Sequence, residues 1–231
     1  MSEIVARITD IRKQIEAACQ KAGRDLSEIK LVAVSKNFAP DIILEAYRQG
    51  LKVMGENRVQ ELIHKKDQLP EDIEWHMIGT LQRNKVKDII GEVAYIHSLD
   101  RLALAQEISR QAEKRGITEV KVLLQVNIAE EDSKQGFKIP EVLPVIKEIS
   151  NLSRIKIYGL MTIAPWTDEP EKVRPIFRQM RELSNKIAEL NLPNVIMQEL
   201  SMGMSNDFPV AIEEGATIIR IGSGIFGTRQ Y

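Results

Sequence analysis

The chain has 231 residues, 43% hydrophobic and 28% charged, with 32 Lys plus Arg against 33 Asp plus Glu. That balance suits a water-soluble α/β domain, and a formal net charge of -1 gives no general attraction to nucleic acid or anionic lipid. No apolar run approaches the roughly 20 residues of a membrane span, and Met1-Ser2-Glu3 lacks the cationic and apolar regions of a secretory signal; the expectation is a cytoplasmic protein with neither membrane nor nucleic-acid partner.

Ile4, Ile8, Ile11, Ile15, Ala18 and Ala22 fall on one stripe, predicting an amphipathic helix over 2–22 that ends at Gly23. Cys19, the sole cysteine, lies among them, so it reads as a core thiol and cannot form an internal disulfide. Leu31 to Lys36 is a short run of small and apolar residues between polar neighbours, the pattern of a strand buried on both faces with Lys36 at its tip. Pro40 then opens a helix that Gly50 closes. The unit repeats: strand 53–57 and helix 59–66, strand 75–79 and helix 82–90, strand 94–98 and helix 100–114, strand 121–127 and helix 140–149. Strand 157–162 precedes helix 171–190, strand 197–203 precedes helix 206–214, and strand 217–222 ends the series. The polar stretch Ala129 to Gly136 reads as a mobile loop over one end.

Strict alternation implies a parallel sheet, because parallel neighbours need a crossover, usually a helix. Eight units in about 200 residues match a small (β/α)8 TIM barrel. An open doubly wound sheet has fewer strands and a glycine-rich phosphate turn after the first, whereas here that turn is Ser35-Lys36-Asn37-Phe38-Ala39. No linker divides the chain, so one domain over 1–231 is expected.

In such barrels the working face is the C-terminal end of the strands, with phosphate commonly bound by the loops after strands seven and eight. Those loops are Leu200 to Asp207, with Ser201 and Gly203, and Ile221 to Gly224, with Gly222 and Ser223. Glycine and serine there let backbone N–H groups approach an anion, and they equally make tight turns. Taken alone, a lysine at a strand tip is more often solvated or ion-paired than chemically used. Together with Arg220 in the last strand, however, Lys36 and the two loops describe a pocket for a phosphorylated aldehyde, whose carbonyl a deprotonated amine attacks. Pyridoxal 5'-phosphate fits, bound to Lys36 as an imine.

Six ordered motifs carry a resemblance across essentially the whole chain: Val32 to Lys36, Gly55 to Glu61, Trp75 to Gly79 with Leu81 to Lys85, Gly159 to Met161, Leu200 to Ser205 with Asp207-Phe208, and Arg220 to Gly222 with Ile225 to Gly227. They resemble the YggS/PROSC family of pyridoxal phosphate homeostasis proteins, which have the barrel of alanine-racemase-like enzymes without the C-terminal β-domain. The resemblance implies that Lys36 forms the imine (Schiff base) and Arg220 faces the pyridine nitrogen. It places Ser201, Gly222 and Ser223 on the phosphate, with Gly203 in the same loop, and Asn57, His76, Met161 and Met202 around the ring.

An arginine can only donate, so the ring nitrogen stays unprotonated and the ring is a poorer electron sink. Racemases of this type add a tyrosine on the far face, and none of Tyr47, Tyr95, Tyr158 and Tyr231 falls in a matching motif. The expectation is therefore a monomeric carrier or buffer of pyridoxal phosphate, without catalysis, that serves apoenzymes using the cofactor and affects amino-acid and keto-acid pools. The alternative is a weak amino-acid racemase or other enzyme using the same cofactor. His64, His76 and His97 show no metal spacing; His97 is expected in a structural hydrogen bond and His64 on a solvated helix face. Met204 reads equally as core filler and as ring contact.

Overall fold

A computed structural model describes residues 2–129 and 135–227. Eight parallel strands close on themselves in sequence order: β1 (Lys30–Val34), β2 (Val53–Glu56), β3 (Glu74–Met77), β4 (Tyr95–Leu99), β5 (Val120–Gln125), β6 (Ile155–Met161), β7 (Val195–Ser201) and β8 (Ile218–Ile221). Around them stand α1 (Glu3–Ala22), α2 (Pro40–Arg48), α3 (Val59–Lys66), α4 (Val86–Ile89), α5 (Leu102–Lys114), α6 (Ile139–Ile149), α7 (Arg174–Ala188), α8 (Phe208–Glu213) and α9 (Ser223–Phe226). This is the TIM barrel that the alternation predicts. No helix among the described residues is long and apolar enough to cross a membrane. The expected loop at 129–136 falls mostly on 130–134, outside the described residues.

Strand parity sorts the side chains. On β1, Ala33 joins the large apolar core that also contains Ile8, Ile11 and Ile43 of the surrounding helices. Its neighbour Val32 joins a small inner cluster with Tyr95, Leu123, Met161 and Ile218, because successive side chains of a strand point to opposite faces. Helix α1 is capped by Ser2, whose hydroxyl accepts from the Val5 N–H, and by Gly23 at φ 64°. It lies against α8 and α9, over the β8–β1 seam.

Several boundaries differ from expectation. Residues 82–90 form a 3-10 turn at Arg83–Lys85 followed by the four-residue α4, because Gln82 to Lys85 bury nothing and only Val86, Ile89 and Ile90 reach the core. The helix expected from 171 begins at Arg174, with a proline in its first turn and a 3-10 turn at Pro170–Val173 before it. Strand β1 stops at Val34, so Lys36 sits in the turn beyond it. Ser223 to Phe226 form a short helix after β8 that periodicity had not indicated.

Candidate functional site

A cavity of about 620 Å³ opens at the C-terminal end of the strands, the face where the loop after β1 meets those after β6, β7 and β8. Lys36, Asn57, Arg220, Gly222 and Ser223 all line it. Strand β8 directs Arg220 inward, and the backbone holds it there through Arg220 N–H to Gly203 O at 3.0 Å.

The turn carrying Lys36 is held on both sides by one buried ammonium. Lys65 Nζ, on α3, donates to Ser35 O (2.7 Å), Glu56 Oε1 (2.7 Å) and Glu61 Oε1 (2.6 Å). Ser35 Oγ donates to the same Glu56 oxygen at 2.6 Å, and Asn37 N–H, in the left-handed region at φ 66°, donates to Glu61 Oε1. Burial pushes the Glu56 carboxyl up against these donors, and its Oε2 has no hydrogen-bond partner among the described residues. Phe38, two residues past the lysine, lies against Phe226 of α9 with ring centroids 4.8 Å apart. The lysine turn and the Gly222–Ser223 loop thus share one wall. On that loop Ser223 Oγ donates to Ser205 Oγ at 3.3 Å, and Gly224 N–H to Ser205 Oγ at 3.2 Å.

Other residues expected at the site stand behind the cavity. Gly203, at φ 91°, turns the chain after β7, and its carbonyl is taken by Arg220 N–H. Met202 belongs to the outer core, one position out of phase with Ser201, and Met161 lies in the inner cluster. Ser201 and His76 are fully buried and belong to a hydrogen-bonded file down the barrel interior. Arg220 Nη1 donates to Ser201 Oγ (2.5 Å) and Nη2 to Thr162 O (2.8 Å). Ser201 Oγ meets His97 Nδ1 at 2.9 Å, His97 Nε2 meets His76 Nδ1 at 2.8 Å, and His76 Nε2 meets Glu74 Oε1 at 2.8 Å. The file ends at the first residue of β3, where Glu74 also pairs with Lys30 at 2.9 Å. Met204, Met202's neighbour but one, does line the cavity, as do Ile163, Trp166 and Thr167 from the loop after β6. Sequence reading missed that loop; its only signal was a tryptophan beside Pro165, and Trp166 is 83% exposed.

Electrostatics follow burial. Burial brings the Arg220 guanidinium down to about 10, with Asp207 opposing, so it remains a cation at neutral pH. Both groups that accept from it are neutral oxygens. Burial raises the Asp207 carboxyl, against the Met204 N–H that donates to it at 2.5 Å. Hydrogen bonding from His76, helped by Lys30, lowers Glu74 to about 2. A buried cationic donor on one wall, an amine on another, and a hydroxyl-bearing glycine turn beside them form a donor set matched to an aldehyde with an acceptor ring atom and an anionic tail.

Comparison with known proteins identifies the family. The model of the alanine racemase N-terminal domain family matches residues 8–230. The pyridoxal phosphate homeostasis protein of Aquifex aeolicus is 47% identical over 226 residues, covering 97% of this chain and 98% of its own. The structure of PipY from Synechococcus elongatus with pyridoxal phosphate bound superposes with a TM-score of 0.84 at 36% identity, covering 97% of this chain and 100% of that one. An alanine racemase of Clostridium difficile shares the fold, with a TM-score of 0.70 at 17% identity over 96% of this chain and 58% of its own. By that near-complete coverage in both directions, the chain belongs to the family of pyridoxal phosphate homeostasis proteins, built on the alanine racemase N-terminal domain.

Proposed function

We propose that this chain binds pyridoxal 5'-phosphate and holds it in reserve, as a monomeric cytoplasmic carrier or buffer serving enzymes that need the cofactor. The observation that carries the reading is the shared cavity of Lys36, Arg220 and the Gly222–Ser223 turn. Bound there, the cofactor would supply an electrophilic aldehyde carbon and a conjugated ring. Lys36 Nζ, once deprotonated, would be the amine that holds that carbon covalently as an imine. Arg220 would hold the ring nitrogen as a donor, since a guanidinium cannot accept. Gly222 and Ser223, with Ser205 alongside, would receive the phosphate through backbone N–H and hydroxyl groups, and Asn57 would face the ring. His76, Met161, Ser201, Met202 and Gly203 support this wall from behind.

The relatives' names support a homeostatic role. Against an amino-acid racemase stands the placement of the described tyrosines. Tyr95 and Tyr158 meet edge to face at the inner cluster, and Tyr47 donates to Asp72 on the outside; none lines the cavity. The test is the colour and mass of the purified protein. A 26.2 kDa monomer absorbing at about 420 nm, gaining the cofactor's mass after borohydride and losing the band in Lys36→Ala, is expected. A band that persists in Lys36→Ala refutes the covalent assignment. Solvent deuterium entering Cα of a free amino acid with turnover favours the racemase instead.

A further inference from the structure

The file of hydrogen bonds beneath Arg220 has one direction, which starts at a group that only donates and ends at one that only accepts. A guanidinium can only donate, and Arg220 gives one N–H to Ser201 Oγ at 2.5 Å. That leaves Ser201 its own hydrogen for its other close neighbour, His97 Nδ1 at 2.9 Å. A neutral imidazole that accepts at Nδ1 carries its hydrogen on Nε2, and His97 Nε2 lies 2.8 Å from His76 Nδ1. The same logic puts the His76 hydrogen on Nε2, 2.8 Å from Glu74 Oε1. At that end an ionised carboxylate can only accept. With both imidazoles neutral, reversing any link would pass along the rings and demand a carboxylate that donates.

We propose that Glu74, His76, His97 and Ser201 are positioning residues for Arg220: a one-way donor chain, anchored at the N-terminal mouth of the barrel, that aims the guanidinium into the cavity as a fixed donor. The group it faces must then be an acceptor without a hydrogen of its own, the chemistry of an unprotonated heteroaromatic nitrogen. This last step rests on the cofactor reading above; the chain itself does not. The charges that bear on the two rings are Glu74, Lys30 and Glu199 for His76, and Arg220, Lys30 and His76 for His97. Burial outweighs them and keeps both imidazoles neutral.

Long-range ¹H–¹⁵N spectra of the ligand-free protein decide the matter. Wild type is expected to show His76 and His97 both protonated on Nε2, with no change of tautomer between about pH 6 and 8. A hydrogen on Nδ1 of either ring overturns the proposal without any variant needing to fold. Ser201→Ala and Glu74→Ala are each expected to shift the Arg220 guanidinium resonances in the ligand-free protein and to weaken retention of pyridoxal phosphate by about tenfold, the scale of one charge-assisted hydrogen bond. Lys30→Met, which removes a neighbour of Glu74 but leaves the acceptor, is expected to shift neither. Arg220 resonances unmoved in Glu74→Ala overturn the chain. Wild-type protein that binds no cofactor refutes the functional reading instead, because the tautomers are measured without it.

Discussion

Two neutral imidazoles in the middle of a barrel tie stability to pH with a definite sign. Burial holds His97 well below the ordinary imidazole value, and holds His76 below it against the pull of Glu74. In the unfolded chain both titrate near 6.5. Below that pH the unfolded state binds protons that the native state refuses, so stability is complete above about 6.5 and falls as acid is added, by up to about 1.4 kcal/mol per pH unit for each ring. Glu74, held at about 2, has the same sign lower down; its contribution is present above about 4.3 and is lost as pH falls through its native value. Glu56 and Asp207, raised by burial, slope the other way from about pH 4 upward. The urea midpoint is therefore expected to drop from about pH 7.5 to 5.5, and the drop to shrink in His97→Gln. A midpoint that rises toward acid, or a slope unchanged in His97→Gln, would remove the neutral pair.

Among the elements, β6 and β7 pair across a register shift between Ile157 and Gly159. A Cβ at Gly159 would collide with the backbone carbonyl of Glu199, and that wall is main chain that cannot step aside. Gly159→Ala is expected to cost about 3 kcal/mol in urea unfolding; a loss below about 1 kcal/mol would mean that the two strands part easily. Strands and helices were legible in the sequence because each strand is a short apolar run and each long helix carries a stripe. What the sequence left open was depth and parity within a strand. Ser201 and Met202 cannot both face inward, and the structure turns Met202 to the outer core. His76 does face inward, yet a layer below the cavity, where it meets His97 rather than the opening. Strand tilt sets that depth, and no local pattern encodes tilt. The Ile163 to Thr167 segment escaped because a loop has no period to read.

Across the whole molecule, the lysine of β1's turn and the glycine turn after β8 are nearest neighbours only because the barrel closes, β1 pairing with β8 from Lys30↔Ile218 to Ala33↔Ile221. That closure was inferable from counting strands, and it brings together Lys36, Arg220, Gly222 and Ser223, which span most of the sequence. The two tryptophans sit in opposite surroundings: Trp75 is 2% exposed in the core, and Trp166 is 83% exposed on the cavity rim. The protein therefore carries its own occupancy gauge. A chromophore seated beside Trp166 and absorbing where indole emits should drain the red-edge fluorescence of that ring and leave the bluer emission of Trp75 comparatively bright. Titration with pyridoxal phosphate is expected to dim the red component, and Trp166→Phe to abolish that response; red emission indifferent to saturating cofactor would put the ligand somewhere other than this opening.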